Sequence, residues 1–350
     1  MSYKAKPICR KFTLAASFVL VCLVSRSQYK FTELEKIFTQ NQKVIGNKFV
    51  ALVYKDGKIV YQKETEDFRA RTKVKIDDCS QWITAALVMS FVDEGKISLD
   101  NRVSMYLPIF ETYRKPDITI RQCLTHQTGI ADNEKGVVKL LEMKRHKFET
   151  LEDEVNSFAK MEVAAAPGKS FNYGNMGLNI AGRVLEVVSK KKFDALVKQR
   201  IFYPLNMRTS SFTPEERSIN PSTGAFSTAA DYMNFMIMIL DKGVFMGKRV
   251  LSEAAIKEMQ TIQTSGTTKK YTPKGAEGFG YGLGEWIDDK SGNGMGSVVS
   301  WAAHPGSIAF IEKCRNYACL LFTNENIADF NSIYTQVKKA IDQQIVSSCN

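Results

Sequence analysis

Histidine is scarce in this chain: His126, His146 and His304 are the only three in 350 residues. Seven cysteines include no C-x-x-C pair, and no His or Cys run has the spacing of a metal-ligand set. Neither a metal nor any other cofactor is implied. Apolar runs long enough to cross a bilayer are lacking too, since the stretch from Phe12 to Val24 is too short to span one comfortably. Stripes of arginine interleaved with aromatics are missing, which argues against a nucleic-acid partner. Internal repeats and low-complexity linkers are absent from the sequence as well.

What remains has the make-up of a globular chain: 44% apolar and 24% charged residues, at a length that can bury a sizeable core. Lys4, Lys6, Arg10 and Lys11 precede the short apolar run, and Ser25-Arg26-Ser27 follows it. Basic region, apolar region and small residues in that order read as a secretory signal over residues 1–27. The alternative is an uncleaved N-terminal anchor. Cleavage would leave residues 28–350 with no transmembrane span, in the periplasm or outside the cell. It would also lower the net charge from +11 to +6, because five cations and no acids are lost. Five cysteines would remain: Cys79, Cys123, Cys314, Cys319 and Cys349. Buried free thiols are the expected state. A cross-strand disulfide between Cys314 and Cys319, around Arg315-Asn316, is the alternative.

Lys48 to Gln62 reads as a hairpin, two β-rich runs about the turn signal Asp56-Gly57. Gln81 to Glu94 reads as a helix apolar on every side, hence buried, and stopped by Gly95. Helical spacing recurs over Leu178–Val188, Phe193–Ile201 and Ala229–Leu240. Val298–Ala303, Ile308–Lys313 and Tyr317–Thr323 read as consecutive strands before an amphipathic helix over Asn326–Ile345. Strands at both ends with helices between predict an α+β fold. Its antiparallel sheet would be formed by about 45–115 and 275–350, flanked by helices, with a mainly helical region inserted over about 116–274.

Several segments resemble the serine β-lactamase and penicillin-binding-protein family. They are Val92-Asp93-Glu94-Gly95-Lys96-Ile97-Ser98-Leu99-Asp100, Ile118-Thr119-Ile120-Arg121 with Leu124-Thr125-His126-Gln127-Thr128-Gly129-Ile130, and Pro167-Gly168-Lys169-Ser170-Phe171-Asn172-Tyr173-Gly174-Asn175. Tyr281-Gly282-Leu283-Gly284, Trp301 through Gly306, and Leu321-Phe322-Thr323-Asn324 continue the likeness. The matches run in order from about residue 47 to 325 and sit nearest the class C β-lactamase, D-Ala carboxypeptidase and esterase branch. The resemblance implies three catalytic motifs. Tyr173-Gly174-Asn175 fits the second, with Tyr173 as the base and Asn175 as a substrate ligand. His304-Pro305-Gly306 fits the third, with Gly306 and Ser307 on the substrate side and the Ser307 N–H toward an oxyanion. Lys290-Ser291-Gly292 matches the third literally but lies in a glycine-rich turn and reads as a loop. The first motif departs. Where the family has Ser-x-x-Lys, this chain has Asp78-Cys79-Ser80-Gln81.

A hydroxyl or thiol nucleophile works by giving up its proton, which a carboxylate at position 78 cannot do. Asp78 reads as a helix N-cap, the sharper alternative being a covalent nucleophile. An ammonium at position 81 would favour a tyrosinate, and the Gln81 amide cannot, so Tyr173 is expected to keep its proton near neutrality. Cys79 and Ser80 are rotated about 100° and 200° away along a helix and should not face the cleft. His126 reads as scaffold and His146 as a solvated face. Three functions follow from the resemblance. The first is an inactive or impaired pseudoenzyme that keeps a cleft for a peptide-like or acyl small molecule. The second is an amide or ester hydrolase using non-standard residues. The third is a surface interaction protein with a relic cleft, its protein partner unknown.

Overall fold

The computed structural model describes residues 1, 29–65, 67–131, 148–212, 218–288, 296–301, 307–323, 325, 327 and 329–349. The signal-like segment, His146, Lys290-Ser291-Gly292 and His304-Pro305-Gly306 lie outside them.

The helices that matter for the site are α1 (Thr32–Gln40), α2 (Ser80–Asp93), α3 (Ile120–Leu124), α4 (Leu151–Lys160), α5 (Met176–Ser189), α6 (Ala229–Leu240) and α7 (Phe330–Asp342). The main sheet has seven strands: β1 (Phe49–Lys55), β2 (Lys58–Glu64), β3 (Gly280–Tyr281), β4 (Trp286–Asp288), β5 (Val298–Trp301), β6 (Ser307–Glu312) and β7 (Tyr317–Thr323). Their spatial order is β2-β1-β7-β6-β5-β4-β3, with every neighbouring pair antiparallel. The first strand of the chain therefore lies in register against the last, Phe49 opposite Thr323 and Lys55 opposite Tyr317. A sheet built from both ends of the sequence is what the patterning predicts.

Alternation along β1 and β7 assigns each side chain to one of two cores. Val50, Leu52, Leu320 and Phe322 face the core around α2, whereas Ala51, Val53, Cys319 and Leu321 face the one closed by α1 and α7. A strand covered on both faces reads as a near-continuous apolar run, and β7 is buried at all seven positions. The hairpin turn at Asp56-Gly57 has positive φ at both residues (50° and 80°), as a type I′ turn requires.

Helix α2 is buried from Ser80 through Phe91. It starts one residue before the expected Gln81 because a 3-10 turn, Asp77–Cys79, leads into it. It ends at Asp93, with Gly95 at φ +66° in the expected C′ position. The closing helix is shorter than its apolar pattern, starting at Phe330 because the Asp329 side chain caps it by accepting from the Ser332 N–H. The one disulfide among the described residues is Cys314–Cys349, which corrects the expected free thiols at these two positions and also the alternative pairing of Cys314 with Cys319. Cys319 points from the middle of β7 into the α1/α7 core, and Cys314 lies in the β6–β7 turn, where the returning C-terminal tail reaches it. Cys79, Cys123 and Cys319 are buried free thiols, as expected.

Candidate functional site

Three elements deliver the site. The 3-10 turn and first turn of α2 carry Asp78 and Gln81. A short parallel ribbon, Ser170–Asn172 beside Thr268–Tyr271, leads directly into Tyr173, whose backbone N–H donates to the Tyr271 carbonyl at 3.2 Å. The β3–β4 turn brings Tyr281 and Trp286. Gly284 makes that approach feasible: it sits at φ +77°, and a Cβ there would lie 2.5 Å from the Ala85 Cβ of α2. No side chain larger than hydrogen fits between turn and helix.

Together with His126, which follows α3 in the chain, these elements join five polar side chains into one hydrogen-bonded chain. The His126 Nε2 and Tyr281 Oη are 2.9 Å apart, and the Tyr281 hydroxyl donates to Gln81 Oε1 at 3.3 Å. Gln81 Nε2 donates to Tyr173 Oη at 3.1 Å, and the Tyr173 hydroxyl donates to Asp78 Oδ2 at 3.1 Å. A hydroxyl has one proton, so once Tyr281 donates to Gln81 it must accept from His126, which fixes the imidazole proton on Nε2. All donors then point one way, from His126 toward Asp78.

Burial sets the protonation of this chain. Gln81 is fully buried, and Tyr281, His126 and Tyr173 are at most 6% exposed. Burial, the Asp78 charge and the hydrogen bond to it hold the Tyr173 phenol well above the ordinary tyrosine range. Burial pushes His126 down to about 3, so the imidazole is neutral. Rings enclose the phenol: Tyr173 lies 4.6 Å from His126 and 5.3 Å from Trp286, centroid to centroid.

Asp78 is not the N-cap of α2, which corrects that expectation. The cap position is Cys79, with no side-chain cap bond, and Asp78 sits inside the preceding 3-10 turn. From that turn its Oδ2 accepts the Tyr173 hydroxyl. Cys79 and Ser80 are buried. The Ser80 hydroxyl donates to the Asp77 carbonyl and accepts from the Ala225 N–H, and burial pushes the Cys79 thiol up, far from thiolate character. Among the described residues, no serine hydroxyl or cysteine thiol is hydrogen-bonded to the Tyr173 phenol. Asn175 is the N-cap residue of α5 and makes no side-chain cap bond. Ser307 begins β6 and is half-buried, while His304 and Gly306 lie outside the described residues. Tyr281 and Trp286 were not singled out from the sequence as site residues. Tyr281 lies 200 residues from Gln81, and only the family-like Tyr-Gly-Leu-Gly run marked it.

Among the described residues, no group of three or more His, Cys, Asp or Glu could hold a metal ion, and no helix is long and apolar enough to cross a membrane.

The chain is similar to penicillin-binding protein 4 of Amycolatopsis lactamdurans, 30% identical over 242 residues that cover 58% of this chain and 60% of that relative, less than two thirds of its length. It is similar to the D-alanyl-D-alanine-carboxypeptidase/endopeptidase AmpH of Escherichia coli strain K12, 22% identical over 66% of this chain and 68% of that one. Two solved structures share the fold. One, from Bacteroides dorei and described as a β-lactamase, has a TM-score of 0.78 at 24% identity and covers 90% of this chain and 99% of its own. The other is the octameric penicillin-binding protein homologue of Pyrococcus abyssi, with a TM-score of 0.67 at 21% identity, covering 88% of this chain and 75% of its own. The Beta-lactamase family model matches residues 34–340, nearly the whole described fold, and the chain belongs to that family.

Proposed function

We propose that this chain is an exported, catalytically silent member of the family whose cleft binds a peptide-like or acyl small molecule without turning it over. Asp78 stands at the nucleophile position and Gln81 at the lysine position. Tyr173, Asn175, His304, Gly306 and Ser307 are the retained cleft residues. The observation that carries this reading is the Gln81–Tyr173–Asp78 chain. The phenol that would act as base instead spends its proton on a carboxylate, and the neighbouring amide brings no charge to favour a tyrosinate. A family fold does not by itself assign an activity. Export is supported by the signal-like residues 1–27 and by the Cys314–Cys349 disulfide, a bond that persists in oxidising compartments.

The test is acylation by a labelled penicillin, together with turnover of a chromogenic cephalosporin and of p-nitrophenyl esters. The natural protein is expected to form no adduct and to turn over neither substrate. The double variant Asp78→Ser with Gln81→Lys is expected to regain measurable acylation. Turnover by the natural protein that Tyr173→Phe abolishes would overturn the proposal in favour of a hydrolase with altered chemistry. A folded double variant that is not acylated would point instead to a relic cleft on an interaction protein.

A further inference from the structure

A surface turn carries a residue that neither turn chemistry nor packing explains. Val244–Phe245 and Lys248–Arg249 form a hairpin joined by Met246-Gly247, both at positive φ (48° and 76°). This is the same kind of two-residue turn as Asp56-Gly57, where an aspartate fills the first place, as such turns prefer. A methionine in that left-handed position is strained, and it gains little from burial because it is 77% exposed. Its sulfur accepts from the Asn206 amide at 3.5 Å.

Through that contact a second exposed apolar side chain joins the same face. The Asn206 backbone N–H donates to the Tyr203 carbonyl at 3.2 Å, and Tyr203 is 67% exposed. The surrounding charge is mostly of one sign. Residues 195–212 hold Lys198, Arg200 and Arg208 and no acid, and residues 241–250 hold Lys242, Lys248 and Arg249 against Asp241 alone. Lys198, Arg200 and Lys242 are paired with Asp194, Glu94 and Glu253. Arg208 and Lys248 are exposed and form no ion pair among the described residues, and the Arg249 guanidinium donates only to the Lys242 and Leu251 carbonyls.

We propose that this face docks on an anionic lipid surface, with Met246 and Tyr203 entering the headgroup boundary and Lys248, Arg208 and Arg249 meeting the lipid phosphates. Apolar side chains at a turn tip, ringed by cations, combine the two attractions that hold a peripheral protein on such a surface. Docking here also sets orientation. The Ser252 N–H, just past the hairpin, donates to Asp93 at 2.7 Å, and Arg200, shortly before Tyr203, holds Glu94. Both segments are therefore fastened to the C-terminal end of α2. Asp78 precedes the other end of this 14-residue helix, about 20 Å away, so the cleft faces away from the lipid. The proposal stands independently of the ligand-binding reading.

The test places an environment-sensitive bimane label at Met246→Cys of the intact protein, and in a second chain at Lys75→Cys, an exposed site at the Asp78 end of α2. The free native thiols are buried, so each label reports its own position. Each chain is titrated with vesicles of phosphatidylcholine and phosphatidylglycerol in equal parts, and with vesicles of phosphatidylcholine alone. A blue shift is expected at the hairpin label on the mixed vesicles only, with none at the Lys75 position. Adding Lys248→Gln should weaken the vesicle affinity read from that shift about fivefold, and adding Arg208→Gln should weaken it again by about the same factor. Unchanged thermal melting will confirm that the variants fold. No shift at the hairpin, an equal shift at both positions, or a shift that both substitutions leave intact overturns the docking face. A blue shift at the hairpin that grows with protein concentration in the absence of lipid means that a second copy of the chain covers this face, and overturns the proposal equally.

Discussion

A single amide exchanged for an ammonium changes what a tyrosine can do. Gln81 both accepts from Tyr281 and donates to Tyr173, a pair of roles a lysine cannot fill because it has no acceptor. Introducing Gln81→Lys alone should therefore lower the pH at which phenolate absorbance appears in an ultraviolet titration, and an unchanged titration curve would contradict the assigned geometry. Removing the phenol's oxygen is predicted to cost stability. Tyr173→Phe leaves the Gln81 amide without its acceptor in a fully buried site, an effect of about 1–3 kcal/mol in a denaturant melt. A buried acid near the site governs alkaline behaviour. Glu285 is fully buried, and burial pushes its carboxyl from the usual 4.5 up to about 8, with the Lys313 charge pulling partly back. The folded chain holds that proton to about pH 8, while the unfolded chain loses it near 4.5. The stability it lends is full below that lower value and is lost as pH rises through the upper one. Melting temperature should fall across this window in the natural protein, and Glu285→Gln should remove that part of the slope.

Elements were legible where the signal was local. Asp56-Gly57 between two β-rich runs gave the hairpin, and the mostly apolar run of Trp82 through Phe91, which leaves almost no polar face, gave the central helix. What escaped was set by tertiary contact. The 3-10 turn at Asp77–Cys79 displaces Asp78 from the cap position that its residue type favours. Tyr281 gains its role only because the β3–β4 turn folds onto α2. The same closeness makes that turn sensitive. Gly284→Ala would add a methyl 2.5 Å from Ala85 at a backbone angle that alanine adopts with strain. A loss of roughly 1–3 kcal/mol is expected, together with weakened Tyr281–Gln81 contact, readable as a change in the tyrosine titration. Retention of full stability would mean that the turn does not press on the helix as described.

For the molecule as a whole, the two chain ends are where stability is tied off. The Cys314–Cys349 bridge closes a loop across a sequence separation of 35 and fastens the tail to the β6–β7 turn. Cys349→Ser should lower stability by roughly 3–4 kcal/mol by the loop-entropy argument. Reducing agent should destabilise the natural protein to the same degree and leave the variant unaffected. The antiparallel sheet from both ends was foreseen because both halves carry strand patterns, though its two short strands Gly280–Tyr281 and Trp286–Asp288 were not; nor was this bridge, since nothing in a cysteine's neighbours announces where a returning tail will come to rest. The order of the sheet bears also on how such a chain comes into being. One neighbouring pair, β1 with β7, joins strands far apart in the sequence, and the Thr323 hydroxyl donates to a carbonyl 278 residues earlier, at Ile45. A polypeptide emerging amino end first can form its opening hairpin, but that hairpin has no neighbour to lie against until the final strands have emerged. Closure of the core is thereby deferred until those later strands are available. That delay fits the export proposed above, in which a narrow channel is threaded before a shape too wide to pass is acquired.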